Sequence, residues 1–183
     1  PADQIVFGAP AGNSAKASFT ESEVTRGQWA EWSSREGVAH ADLLGISQTR
    51  FQAVGPAGTP SGTASVAVFG TEGTGLAPAP VAEGTVVIGS SLAEELELQA
   101  GSPATVGGTE LTVSAVVPDQ WYSHTGVVWT TLGDWRKLAH ITGKDAAATV
   151  IGVTSDDGQP LDIDAATAAA GTVSTTRDGS FQA

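Results

Sequence analysis

Gly107-Gly108 stands between two apolar runs, 104–106 and 109–117. Both turn positions of a tight two-residue hairpin take positive φ, which glycine reaches without strain, so the runs are expected as paired antiparallel strands. Along the second run Leu111, Val113, Ala115 and Val117 alternate onto one face, and Pro118 ends it. Upstream, Thr85-Val86-Val87-Ile88 is β-branched throughout and reads as a strand. Ser91-Leu92-Ala93-Glu94 then has the spacing of a capping box, with Leu92 and Leu96 on one face of a short helix that stops before Gly101.

The flanks are less regular. Residues 1–17, rich in Ala, Gly, Pro and Ser, read as loop or a short edge strand around Ile5-Val6-Phe7. Thr20-Glu21-Ser22-Glu23 has capping-box spacing; the helix it opens carries Trp29 and Trp32, and Gly37 stops it. Residues 38–54 look like one or two strands broken near Gly45, 54–61 like a loop, 65–69 like a strand and 70–84 like a long connection. Residues 126–130 read as a strand. Thr131 caps a helix on which Trp135, Leu138 and Ala139 follow helical spacing, with Arg136 and Lys137 near its end. Residues 148–153 read as a strand, Asp164 as the cap of an alanine-rich helix, and the tail from Gly171 is weakly patterned. No fixed-period repeat is present. About three or four helices alternating with six to nine strands give an α+β class.

Twenty acidic against eight basic residues leave a net charge of −12, which argues against nucleic acid and anionic lipid surfaces as partners. With 40% hydrophobic residues among 183, the chain has the material for a core. No run approaches the roughly 18 apolar residues of a membrane helix, and no signal peptide is recognisable. The absence of cysteine excludes a disulfide frame, a thiolate metal site and a cysteine nucleophile. With no methionine and Pro1 in front, the sequence reads as a piece of a longer protein.

No catalytic constellation emerges. His40, His124 and His140 are far apart, none with a His or Cys at ligand spacing, so no metal site is expected. Neither Gly107-Gly108 nor the glycines of 70–75 match a phosphate loop or a dinucleotide fingerprint. Gly89-Ser90-Ser91 lacks the second glycine of a nucleophile elbow, and its serines read as helix caps. Glu94, Glu95 and Glu97 read as a solvated face, Trp29 and Trp32 as core or interface anchors, and Trp129 and Trp135 as core. One cluster stands apart. Trp121-Tyr122-Ser123-His124 brings the only tyrosine, a histidine and a tryptophan into an inter-strand connection. Trp121, Tyr122 and His124 are therefore the candidate substrate-binding residues: indole offers a flat stacking surface, and phenol or imidazole can ligate haem iron. The competing reading is a loop folded back onto the core.

The run Val86-Val87-Ile88-Gly89-Ser90-Ser91-Leu92-Ala93-Glu94-Glu95-Leu96-Glu97-Leu98-Gln99-Ala100-Gly101, continued through Gly107-Gly108 and 111–117, resembles the extracytoplasmic domain of FtsX/MacB-like ABC transporter permeases. The run from Tyr122 to Thr130, with Asp134-Trp135, resembles a Gram-positive branch that includes haem exporters of the HrtB type. One departure is Ser102-Pro103 after Gly101, where the family has aspartate. The resemblance implies an α+β fold: a porter-like βαβ lobe from 1–76 and 119–183, and a small β-rich lobe at 77–118. It implies a domain outside the cell membrane, between the first two helices of a permease that pairs as a homodimer and works with a cytoplasmic ATP-binding subunit. Such a domain is not an enzyme and holds no cofactor; haem or another amphipathic compound is its cargo. The alternative within the family is a regulatory domain that docks and activates an extracellular protein such as a cell-wall hydrolase. A free-standing secreted hydrolase is the remaining reading, and no constellation supports it.

Overall fold

The computed structural model describes residues 2–10, 13–72, 75–141, 145–158 and 160–177. Pro1, Gly73 and the tail beyond 177, on which parts of the sequence reading fall, lie outside them. In chain order the elements are β1 (Gln4–Phe7), β2 (Val24–Thr25), α1 (Arg26–Ser33), β3 (Val38–Val54), β4 (Pro60–Thr71), β5 (Thr85–Gly89) and α2 (Ser90–Glu95). They continue with β6 (Pro103–Val106), β7 (Thr109–Val117), β8 (Trp121–Tyr122), β9 (Thr125–Thr131), α3 (Leu132–Leu138), β10 (Ala146–Ala148), β11 (Val150–Ser155), α4 (Ile163–Ala170) and β12 (Val173–Thr176). Two compact units result, Pro1–Leu44 with Thr142–Ala183 and Gly45–Ile141, so the second is an insertion in the chain of the first. Residues 77–118, expected as the small lobe, all fall in the second unit.

In the first unit the strands run β12-β1-β11-β3, every neighbouring pair antiparallel. With α1 between β1 and β3, and α4 between β11 and β12, the order is that of a split βαβ arrangement. β1 is therefore an interior strand and not an edge, because the weakly patterned tail supplies β12 beside it. Val6 and Phe7 are fully buried as a result. Trp32 of α1 is also fully buried, and its indole N–H donates to Thr172 Oγ1 at 3.1 Å. Trp29 donates to the Ala41 carbonyl at 2.7 Å.

Two caps in this unit differ from the sequence reading. The box that opens α1 is Thr25 with Gln28: Thr25 Oγ1 accepts from Gln28 N at 3.1 Å, and Gln28 Oε1 accepts from Thr25 N at 3.0 Å. Thr20 to Glu23 share the spacing, but Ser22 is drawn elsewhere, donating to the Thr149 carbonyl at 2.6 Å. Likewise α4 is capped by Asp162, which accepts from Ala165 N at 3.0 Å, while Asp164 lies in the first turn.

In the second unit the ladder closes. The strands run β3-β4-β9-β5-β7-β6, and β6 pairs back onto β3 through Phe51↔Val106 to Ala53↔Ala104. β4 with β9 and β5 with β7 are parallel; β6 with β7 is the expected Gly107-Gly108 hairpin, both glycines at positive φ. Closure leaves none of these six strands as a bare edge. It buries Phe51, Val66, Val68, Val86, Ile88, Val106 and Val113 to 2% exposure or less. Leu111, Val113 and Val117 of the predicted face are buried and Ala115 is partly covered.

The expected break at Gly45 is absent: β3 runs unbroken from Val38 to Val54. Glycine is there because the Trp135 indole lies against it. A Cβ at Gly45 would run into the indole ring, and one at Gly70 of β4 would run into Trp135 Cβ. Trp135 Nε1 then donates to Ser47 Oγ at 3.0 Å, fixing the ring's orientation. The glycines are a seat rather than a break. β4 is also longer than its apolar centre suggested, since after the Pro56–Gly58 turn it begins at Pro60.

Gly70→Ala is expected to lower stability by about 1–3 kcal/mol through overpacking. Gly133→Ala, at an exposed position of α3 with no atom nearer than 4.0 Å to the new Cβ, should leave stability level or raised by up to about 1 kcal/mol. Urea midpoints check both, and equal losses would contradict the seat.

Candidate functional site

The Trp121–His124 segment is a β-hairpin. β8 pairs with the start of β9 in the register Trp121↔Gly126 and Tyr122↔Thr125, and Ser123 and His124 form the two-residue turn. Their φ values, 47° and 65°, are both positive, as a type I′ turn demands; this fixes the tip in a conformation that L-residues rarely adopt. Further support comes from Gln120, whose carbonyl accepts from Val127 N at 2.9 Å and whose Oε1 accepts from Trp129 Nε1 at 2.7 Å.

Strand alternation then separates the three candidates. Tyr122 turns onto Phe69 of β4, ring centroids 5.6 Å apart, and Trp129 meets the same Phe69 at 5.1 Å, both edge to face. This half-burial raises the phenol's pKa, since the anion would lose solvation. Trp121 points the other way and is 64% exposed. It lines, together with His124, a groove of about 230 Å³ whose further residues include Leu92, Glu95, Asp119 and Val128. Of the sequence candidates, the structure brings Trp121 and His124 together and places Tyr122 outside that groove.

Asp119 is the residue sequence reasoning missed. Helix α2 has Gly89 at its N-cap with no side-chain cap of its own. Asp119, two residues after β7, supplies the cap: Oδ1 accepts from Ser91 N at 2.9 Å, and Oδ2 accepts from the Ser91 hydroxyl. So Ser91 and Glu94 do not form a reciprocal box, and Glu94 is left solvated. A carboxylate at a helix start is favoured by the free amides there. The signal was available in principle, as an acid directly after the Pro118 stop, but its partner lies 28 residues away.

The Ser91 side-chain bond, then the Ser91 backbone bond, hold the Asp119 pKa below the ordinary aspartate value. Glu94, Glu95 and Glu97 are exposed, as expected of a solvated face. His40 lies in β3 within the first unit, and His140 follows α3 in the second. Among the described residues no group of three or more His, Cys, Asp or Glu side chains is placed to hold a metal ion. No helix among them is long and apolar enough to cross a membrane.

A split βαβ unit interrupted in the chain by a closed ring of strands is similar in fold to solved extracellular and periplasmic domains of transporter proteins. The extracellular domain of the noncanonic ABC-type transporter YknZ from Gram-positive bacteria matches 96% of this chain and 99% of its own, with a TM-score of 0.62 at 11% identity. The periplasmic region of MacB from Actinobacillus actinomycetemcomitans matches 98% of this chain and 90% of its own, with a TM-score of 0.60 at 14% identity. A domain of a Porphyromonas gingivalis protein described as a permease matches 91% and 80%, with a TM-score of 0.58 at 13% identity. No protein-family model and no curated protein sequence matches the chain. The α+β class and the MacB-type core expected from the sequence are thus what the structure has.

The sign of the Asp119 shift gives a prediction. A depressed folded-state pKa contributes stability that is full above the unfolded-state value and disappears as pH falls through the folded one. The stability gap between the native chain and Asp119→Asn should be constant between pH 7 and about pH 5 and shrink below about pH 4. Denaturation across that range measures it; a gap independent of pH would contradict the cap.

Proposed function

We propose that the chain is the extracytoplasmic domain of an ABC transporter permease and couples ATP-driven motion of membrane helices to export of an amphipathic compound. The observation that carries this reading is the end-to-end fold match, 96% of this chain on 99% of the YknZ extracellular domain. The domain does no chemistry itself in this reading. It stands outside the cell membrane, on a permease that pairs with a second copy of itself, and ATP is hydrolysed by a cytoplasmic subunit.

The reading has a direct test in cells that carry the encoding gene. An epitope tag in the exposed 156–158 turn should be digested by protease added outside intact cells or spheroplasts, and the tagged protein should co-purify with an ATP-hydrolysing subunit. A tag cut only after lysis contradicts it.

Haem as the cargo, and with it the haem-exporter branch, rests on the run from Tyr122 to Thr130 with Asp134-Trp135. Within that proposal the iron ligand is His124, whose imidazole is exposed on the groove that Trp121 walls, and Tyr122 has a packing role against Phe69. A haem titration followed by absorbance should show saturable binding that His124→Ala abolishes and Tyr122→Phe retains. Binding that survives His124→Ala would remove this assignment while leaving the permease reading in place.

The regulatory alternative, a platform that docks an extracellular protein, is favoured by one observation. Trp121 presents 64% of its surface on a rigid hairpin, as an anchor for a protein partner would.

A further inference from the structure

We propose that the groove beside Trp121 receives an arginine-bearing segment of a basic partner protein. Among the described residues the exposed large hydrophobic side chains are Trp121 and Val116, at 64% and 41%. Trp121 is the one that borders a groove, and it is held there by the β8–β9 pairing and by a turn locked at positive φ. Its ring passes over Gly126, with Cζ3 3.9 Å from where a Cβ would stand, so the indole is braced along one edge. An exposed, pre-ordered indole loses little freedom when a partner covers it, which is what makes tryptophan and arginine frequent anchors of interfaces.

The chemistry of the lining selects the occupant. The groove combines apolar Leu92 and Val128 with the carboxylates of Glu95 and Asp119, and among the described residues no lysine or arginine lines it. The Asp119 carboxylate keeps its charge because Ser91 bonds the ionised form. An arginine satisfies each element at once: its methylene stem covers Leu92, its planar guanidinium stacks on the indole, and its N–H fork meets a carboxylate. A second copy of this chain is a poor occupant, since both would bring a charge of −12. The inference goes beyond the export reading and rests on these residues alone, so the permease assignment and this docking site can fail separately.

The test is a titration of hexa-arginine peptide into the isotopically labelled domain, followed by NMR at the Trp121 indole N–H and the Ser91 and His124 amides. The shifts should saturate and stay confined to the groove. Affinity should fall tenfold or more with Trp121→Ala and with Glu95→Gln, persist largely with Trp121→Phe, and be unaltered by Glu110→Gln, an exposed acid of β7 outside the groove. Hexa-lysine, with equal charge and no planar fork, should bind more weakly. The unperturbed part of each spectrum reports whether a variant is folded. Shifts scattered over the acidic surface, or an affinity indifferent to Trp121→Ala and Glu95→Gln, overturn the proposal. An N-acetylarginine amide that binds within about twofold of the peptide assigns the groove to small cations and also overturns it.

Discussion

The second unit depends on the contact of one indole with two strands. Trp135 can lie against β3 and β4 only because Gly45 and Gly70 carry no side chain there, and its N–H to Ser47 sets which way the ring faces. That contact fixes the position of α3, and α3 in turn holds Asp134, which is 2% exposed. Asp134 Oδ2 accepts from Gly84 N at 2.7 Å, tying down the end of the long connection one residue before β5 starts. Its other oxygen lies 3.4 Å from Lys137 Nζ, so the buried carboxylate is bonded on both sides. Asp134, with help from Glu83, in turn raises the Lys137 pKa.

From that seat the structure reaches the candidate site through a short series of aromatic contacts. β9 leads directly into α3, so placing the helix places Trp129, and Trp129 and Tyr122 both pack edge to face on Phe69. With Tyr122 held inward, strand alternation requires Trp121 to face outward. The exposed indole is thus a consequence of the packing behind it rather than a loose side chain. Asp119, just before the hairpin, adds a second constraint by capping α2, so the two sides of the groove are bound to each other by hydrogen bonds that do not involve a ligand.

Elements with strong local signals were legible in the sequence: the Gly107-Gly108 hairpin, β5, the Thr131 cap of α3 and the buried roles of Trp32 and Trp135 all follow from patterns a few residues long. The misreadings share a cause, which is information held far along the chain. Gly45 looks like a strand break until Trp135, 90 positions later, explains it, and Ile5-Val6-Phe7 looks like an edge strand until 173–176 pairs beside it. Capping spacings occurred twice before α1, and only the fold around Ser22 and Thr149 chose between them. At the candidate site the cluster was visible by composition. Its division into an inward Tyr122 and an outward Trp121 needed the hairpin register.

The export reading treats the domain as a mechanical element, and its central claim is that the domain moves when ATP is used elsewhere. Since the chain has no cysteine, Glu110→Cys introduces a single thiol into it for a spin label. In the reconstituted permease, with any cysteine outside this chain replaced by serine, pulsed dipolar spectroscopy then measures the label-to-label distance between the two copies. The account predicts a distance distribution that shifts on addition of ATP and returns when ATP is exhausted. A distribution identical with and without ATP, in a preparation that hydrolyses it, would contradict the account.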